Sequence, residues 1–263
     1  MGGILPNGSE TGNSTVKISI ITVVYNGERT IRDTIESVLA QTHPDVEYII
    51  IDGNSKDSTL EIIKNYGERI HTVLSEPDKG IYDAMNKGIK IATGEVVGLL
   101  NADDVYASSD VLAEVARRIV ENHADAVYGD LLYVAANDPE KVTRTWKAGA
   151  YAPGDFLWGW MPPHPTFFLK RNCYQKYGDF RLDMGSAADY ELMLRMIHKN
   201  EVKLSYIQKT LVRMRVGGAS NSTFKNRLIA NRNDQKAWKV NGLKPYVITV
   251  LLKPIRKILQ FFP

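Results

Sequence analysis

Between Ile18 and Leu100 the chain alternates continuous apolar runs with segments whose apolar residues recur at helical spacing, joined by short loops. The runs are Ile18 to Val24, Val46 to Ile51, Ile70 to Leu74 and Val96 to Leu100, rich in Val and Ile. A run that is apolar at nearly every position has no wet face, which predicts a strand covered on both sides, as in a parallel sheet. Ile31, Ile35, Val38 and Leu39 predict an amphipathic helix from about Thr30 to Gln41. Leu60, Ile62, Ile63 and Tyr66 predict a second helix capped by Asp57 or Ser58, and a third is expected over Ile81 to Ala92. This alternation specifies an α/β fold with a single Rossmann-like, mostly parallel sheet flanked by helices. Such sheets bind ligands in the crevice outside the carboxyl ends of their strands. Tyr25, Asp52 and the pair Asp103–Asp104 all fall at such ends, so they are expected to converge on one site.

The carboxylate pair ends the fourth apolar run, in Leu99-Leu100-Asn101-Ala102-Asp103-Asp104. Like charges repel and burial disfavours the ionised form, so two acids at the mouth of a buried strand are costly by themselves. One reading is a helix-capping loop, since Asp is a preferred cap. The other is a divalent cation, for which hard Mg2+ or Mn2+ suits carboxylate oxygens.

Beyond Asp104 a helix is expected near Val111 to Val120 and a short strand at Ala126 to Tyr128. Residues 146–168, dense in Trp, Pro and Gly, read as irregular. A helix then starts at Asp189, and Val202 to Ile207 and Leu211 to Val216 read as two paired strands. The 263 residues suit one large domain, divided as a first half over 17–110 and a second over 111–218, with a helical tail over 219–263. Residues 1–16 are rich in Gly, Asn, Ser and Thr and read as a disordered lead-in, neither signal peptide nor membrane span. Cys173 is the single cysteine, which excludes internal disulfides and Cys-based zinc sites and fits a cytoplasmic protein.

Charge is unevenly spread. From Lys225 onward nine Lys/Arg face one acid, Asp234, a net +8 against +3 for the whole chain, so the first 224 residues sum to −5. Near the end, Leu251, Ile255, Ile258, Leu259 and Phe262 share one helical face opposite Lys253, Arg256 and Lys257. A basic amphipathic helix of this kind lies in a membrane interface or packs back on the domain, and both readings stay open. The acidic body and the lack of a reader motif argue against nucleic acid as a partner.

Four stretches carry a family resemblance: Ile-Thr-Val-Val-Tyr-Asn at 21–26, Ile-Asp-Gly-Asn-Ser-Lys-Asp-Ser-Thr at 51–59, Glu-Pro-Asp-Lys-Gly-Ile-Tyr-Asp-Ala-Met-Asn-Lys-Gly at 76–88 and Leu-Leu-Asn-Ala-Asp-Asp at 99–104. In this order they resemble a family 2 glycosyltransferase of the GT-A fold, of the kind that builds bacterial surface polysaccharides, over about Lys17 to Gly218. The resemblance implies a nucleotide-diphosphate sugar donor bound across the first half of the sheet. The backbone at Val23 and the ring of Tyr25 would flank the nucleobase, with Asp52 near it, and Asp83 would line the donor pocket. Asp104 matches a direct metal ligand for Mn2+ or Mg2+, with Asp103 facing the ribose or metal. Two departures stand out: Gly53 where many members have a second acid, and Asn101 at the first acidic position of the metal motif.

Transfer to an acceptor hydroxyl needs a general base. Asp189 matches the family's base, implying an inverting displacement, with Glu191 as second choice. His164 matches a histidine near the acceptor or donor sugar and reads equally as structural. Trp158 and Trp160 read as sugar-stacking platforms or as core, and Arg213 or Arg215 as a clamp on the diphosphate. The acceptor implied is a glycan or lipid-linked glycan, with the protein peripheral on the inner face of the cell membrane. A non-catalytic sugar-nucleotide or membrane-binding module of the same fold is the alternative. A nucleotide-dependent oxidoreductase is disfavoured, since it requires Gly-x-Gly-x-x-Gly after the first strand and only Gly27 is there.

Overall fold

A computed structural model describes residues 15–217, 224–246 and 249. Its elements are β1 (Ile18–Val24), α1 (Ile31–Leu39), β2 (Val46–Asp52), α2 (Thr59–Lys64), β3 (Thr72–Ser75), α3 (Ile81–Ile91), β4 (Val96–Asn101), β5 (Asp104–Tyr106) and α4 (Val111–Glu121). There follow β6 (Ala126–Ala135), β7 (Asp138–Trp146), β8 (Phe168–Lys170), α5 (Arg171–Tyr177), α6 (Ala188–Met193), β9 (Leu204–Arg215) and α7 (Phe224–Val240).

The sheet runs β3-β2-β1-β4-β8-β6-β9-β5, with β7 paired to β6. Its first four strands are all parallel, as the continuous apolar runs predict. Successive residues of these strands supply opposite faces. Ile21, Val23, Ile49, Ile51, Val97 and Leu99 pack with Ala84, Met85 and Ile89 of α3. Ile18, Ile20, Val24, Ile50, Val96 and Leu100 pack with Ile31, Ile35 and Val38 of α1 and Val111, Leu112 and Val115 of α4. With both faces of β1, β2 and β4 covered, these strands are apolar almost throughout and show no alternation, and their polar residues Ser19, Thr22 and Glu47 are buried and hydrogen-bonded. At Gly98 a Cβ would lie 2.6 Å from the Phe168 ring, so the missing side chain lets β8 dock on β4.

The second half departs from the sequence reading. The expected short strand at 126–128 is the ten-residue β6, folded with β7 into an antiparallel hairpin. The two strands expected to pair with each other are one strand, β9, which runs parallel to β6 with a bulge beyond Gly129 and then pairs antiparallel with β5. The polar Gln208-Lys209 break looked like a turn; it is the bulge. β8 joins β4 and β6 antiparallel, so the sheet is mixed in this half. Val16, assigned to the lead-in, is buried, and its carbonyl meets His43 Nε2 at 2.7 Å.

The first part of the tail lies on the domain. In α7, Ala237 and Trp238 are buried, and Trp238 Nε1 donates to the Tyr190 hydroxyl of α6 at 2.8 Å. Asn241 donates to Glu191 and Lys236 pairs with Asp183. The basic amphipathic segment 251–262 is outside the described residues, as are residues 1–14. No helix among the described residues is long and apolar enough to cross a membrane.

At the amino ends of the strands, away from the carboxylate pair, Glu47 of β2 ties three elements together. Its carboxylate accepts from Ser19 of β1, from the Thr93 hydroxyl and N–H after α3, and faces Lys17. Burial alone would raise its carboxyl, but the hydrogen bonds from Ser19 and Thr93 and the Lys17 charge bring it down to about 2. A carboxylate stabilised in the folded state contributes stability above its ordinary pKa of 4.5, lost as the pH falls toward about 2. Glu47→Gln is expected to lower the unfolding free energy at neutral pH by about 2 kcal/mol. Urea unfolding at a series of pH values checks this: the variant should also lose part of the acid slope that the parent shows below pH 4.5.

Candidate active site

The loops at the carboxyl ends of β1 and β2 are laced to each other. Asn26 and Asn54 adopt positive φ, 50° and 66°, a conformation Asn tolerates better than most residues. The Asn26 N–H donates to Ser55 Oγ at 2.8 Å, Asn26 Oδ1 accepts from the Lys56 N–H at 2.8 Å, and the Gly27 N–H donates to Thr59 Oγ1 at 2.9 Å. Asp57 caps α2 as expected, accepting from the Thr59 N–H at 3.0 Å. Asp52 is fully buried, and its carboxylate accepts from the Ser55 N–H at 3.1 Å and from the Ser75 hydroxyl at 2.7 Å. It therefore braces three loops. Tyr25 projects beyond them and is 64% exposed. Val23 lies within the ladder opposite Ile51 and Asn101, its side chain buried. Asp83, in the first turn of α3, accepts from the Lys79 N–H at 3.0 Å and lies 3.9 Å from Lys87.

β4 delivers Asn101 to the crevice, and the chain turns at once into β5, so the pair sits in a tight turn rather than a long loop. Asp104 is 1% exposed, whereas Asp103 is half-buried. The exposures run against the expected division of labour, because the more accessible carboxylate is Asp103. Burial first, and the Asp103 charge second, push the Asp104 carboxyl well above the ordinary range, against the pull of Asn101 and Arg215. Asn101 Nδ2 donates to Asp104 Oδ2 at 3.3 Å, while Asn101 Oδ1 and Asp104 Oδ1 are buried with no hydrogen-bond partner among the described residues. Unsatisfied hard oxygens beside a second carboxylate form a donor set that suits Mn2+ or Mg2+. Among the described residues no cluster of three His, Cys, Asp or Glu side chains stands ready for a metal. The protein thus offers one or two carboxylates, the usual provision where substrate phosphates and water complete the shell.

Two elements hold this turn from behind. Thr34 Oγ1 of α1 donates to the Asp104 carbonyl at 2.8 Å. Arg215, at the end of β9 and 8% exposed, donates to the Asp103 carbonyl at 3.2 Å and pairs with Asp33 of α1. Arg213 pairs with Glu140 of β7. Neither guanidinium is presented as the clamp on a diphosphate that was expected; strand register turns Arg215 toward the backbone of the acidic turn instead.

Asp189 stands in the first turn of α6, half-buried, with Oδ1 accepting the Tyr190 N–H at 2.7 Å. It meets two aromatic neighbours. The Tyr82 phenol lies near it, and burial followed by the Asp189 charge raises that phenol far above its ordinary range. Burial lowers the His164 imidazole, and the nearby Asp189 charge opposes that shift. His164 and Tyr82 both pack on Phe180, with ring centroids 5.7 and 5.3 Å apart respectively. Glu191 is excluded as the base: it is buried in a bidentate pair with Arg195 and accepts from Asn241.

Trp160 belongs to the core. It is 6% exposed, its indole N–H donates to the Ala148 carbonyl at 2.8 Å, and Tyr128, Tyr151 and Phe156 surround its ring. A ring with occupied faces offers no platform to a sugar. Trp158 is exposed and packs beside Tyr246. Sequence reasoning missed Arg144 of β7, whose guanidinium lies 3.5 Å over the Tyr133 ring. Burial raises the Tyr133 phenol and the Arg144 charge opposes it, while the charges of Asp104 and Asp189 both add to the rise. Tyr133 is therefore within electrostatic reach of both carboxylates. No signal in the sequence marked this pair, because 138–146 carries too few apolar residues to reveal a hairpin strand.

The profile of the family described as Glycosyl transferase family 2 matches residues 19–182. A PGL/p-HBAD biosynthesis glycosyltransferase of Mycobacterium tuberculosis (strain ATCC 25177 / H37Ra) is 31% identical over 210 residues, 78% of this chain and 79% of that protein. Among solved structures, S. aureus TarS 1-349 in complex with UDP-GlcNAc shares the fold with a TM-score of 0.66 at 18% identity, over 90% of this chain and 69% of that one. The mannosyltransferase PcManGT from Pyrobaculum calidifontis, in complex with GDP-Man and Mn2+, aligns with a TM-score of 0.61 at 15% identity, over 95% of this chain and 82% of that one. With the profile spanning more than half of the chain, and a parallel half-sheet carrying an acidic turn at its mouth, the chain belongs to glycosyl transferase family 2 and is a glycosyltransferase of the GT-A fold.

Proposed function

We propose that this protein is a metal-dependent, inverting glycosyltransferase. It moves a sugar from a nucleotide-diphosphate sugar to a glycan acceptor, lipid-linked in the bacterial case, in surface polysaccharide synthesis. The observation that carries the reading is the acidic turn at the carboxyl end of β4, where Asn101 Oδ1 and Asp104 Oδ1 are buried without a hydrogen-bond partner among the described residues beside the more accessible Asp103. The names of the relatives support the reaction class, since solved neighbours carry UDP-GlcNAc or GDP-Man with Mn2+.

On this reading residues 17–110 hold the donor and 111–218 the acceptor. Tyr25 stacks on the nucleobase, with the Val23 backbone beside it. Asp83 lines the donor pocket from the first turn of α3. Asp103, the more accessible carboxylate, makes the direct contact to Mn2+ or Mg2+, and Asp104 adds its charge from behind. A bound divalent ion supplies charge neutralisation for the leaving diphosphate. Asp189 accepts the proton of the acceptor hydroxyl as that oxygen attacks the anomeric carbon opposite the diphosphate, which inverts the centre. The Tyr190 N–H holds the Asp189 carboxylate, and Tyr82 and His164 lie within electrostatic reach of it. Arg144, stacked over the Tyr133 ring, adds positive charge for an anionic group of donor or acceptor. Peripheral membrane contact is supported by the net +8 of the tail and by exposed Trp158 beside Tyr246, aromatic residues of the kind enriched at lipid interfaces.

Release of nucleoside diphosphate from a panel of nucleotide sugars, with Mn2+ or Mg2+ and with or without lipid-linked acceptor, tests the activity. Donor binding by calorimetry with no turnover on any acceptor pool would favour the non-catalytic module instead. Asp189→Asn is expected to lower kcat by about 10²- to 10⁴-fold while leaving donor affinity near the parent value, the signature of a lost general base. Asp103→Asn is expected to weaken Mn2+ binding, followed by electron paramagnetic resonance in the presence of nucleoside diphosphate, more than Asp104→Asn does. Arg215→Met keeps the bulk of the side chain but frees the Asp103 carbonyl. It should raise the Mn2+ concentration for half-saturation by about 10- to 100-fold, the range for losing a group that orients a metal ligand.

A further inference from the structure

We propose that Asp78 selects the nucleobase of the donor, in the space left by Gly53, and that it selects bases presenting a ring N–H. This inference rests on the donor reading above and names which donors that reading admits. Asp78 lies in the loop between β3 and α3, at the same carboxyl edge of the sheet as Tyr25 and Gly53. A methyl group built on Gly53 would lie 2.5 Å from Asp78 Oδ2 and 3.4 Å from Tyr25 Cδ2. The Asp78 carboxylate thus leans over residue 53, where an acidic side chain at that position would begin, and it does so beside an exposed aromatic ring. Its other oxygen is fixed: Asp78 Oδ1 accepts the Gly80 N–H at 2.8 Å. Oδ2 accepts no hydrogen bond from the described residues, and the side chain is only half-buried. Asp52, the neighbouring acid, has no such freedom, since Ser55 and Ser75 occupy its carboxylate.

The two groups divide recognition between them. A ring such as Tyr25 stacks on any base and discriminates little. An ionised carboxylate only accepts hydrogen bonds. Uracil and thymine offer their N3–H, and guanine its N1–H and exocyclic amine. Cytosine and adenine keep an exocyclic amine but present a lone pair at the ring nitrogen beside it, which a carboxylate repels, so they lose the ring N–H contact and gain a repulsion. A site built to accept an N–H rejects analogues that lack it, because its own polar atom is then left unpaired.

The test is calorimetric binding of UDP, dTDP, GDP, CDP and ADP to the full chain with Mn2+, repeated for Asp78→Ala and Gly53→Ala. In the parent, at least one of UDP, dTDP and GDP should bind about 10- to 100-fold more tightly than CDP and ADP, the range for a hydrogen bond to a charged acceptor. Both variants should compress that gap, Asp78→Ala by removing the acceptor and Gly53→Ala by pushing it aside with a methyl group that leaves Asp78 in the chain. Tyr25→Ala should weaken all five alike. A parent that prefers CDP or ADP, or two folded variants that keep the parental order and spread, would overturn the assignment while leaving the donor reading intact. Failure of all five to bind would overturn both.

Discussion

The strongest constraint on this molecule is the cost of holding Asp103 and Asp104 at the end of a strand whose other residues are buried on both faces. Burial and mutual repulsion both oppose ionisation, and Asp104 is pushed well above its ordinary pKa as a result. The scaffold offsets this only in part, through Asn101 and the Arg215 charge. It holds the backbone of the turn, through Thr34 on the Asp104 carbonyl and Arg215 on the Asp103 carbonyl, with Asp33 pairing the guanidinium from α1. Asp104 Oδ1 and the neighbouring Asn101 Oδ1 are left buried without a protein partner among the described residues. An arrangement rigid in its backbone and unsatisfied in its carboxylates is suited to a cation that comes and goes with a phosphate-bearing substrate.

The same economy of parts runs along the carboxyl edge of the sheet. Residues that read as motif are in large part architecture: Asn26, Ser55, Asp57 and Thr59 lace the first two loops, and Asp52 braces them from beneath. Fixing the loops in this way leaves Tyr25 exposed after β1, with Asp78 nearby in the loop between β3 and α3. The acceptor side uses a different device. The start of α6 is set by Glu191 pairing with Arg195 and by Trp238 of α7 donating to Tyr190, so the tail takes part in positioning the helix that carries Asp189.

The legible part of this fold was the part governed by periodicity. Short runs that are apolar at nearly every position read as strands covered on both faces, so β1, β2 and β4, and the loops at their ends, followed from the residues alone. β6 and β9 were misread because they are half-covered and interrupted. The Gln208-Lys209 break in β9 resembles a turn unless its neighbour β6 is known to match it across a bulge. The site shows the same limit. Asp189 was found through a motif, but Trp160, equally prominent in the sequence, proved to be core, because only its neighbours Tyr128, Tyr151 and Phe156 reveal that its faces are taken.

What the amino-acid sequence determined by itself was the class of fold, the edge of the sheet at which chemistry occurs, and the acids present there. Apolar periodicity and turn residues are local properties, and they are written in neighbouring letters. Tertiary structure alone decided which acid is free. Asp52 is engaged, Asp104 is buried, Asp103 is accessible, and Asp78 fills the gap over Gly53. Those outcomes depend on hydrogen-bond partners and burial contributed by residues far away in the chain, and no spacing rule carries that information. Among the two acids at the end of β4, the sequence named the pair, and the packing of α1 and β9 against the turn chose which carboxylate faces the crevice.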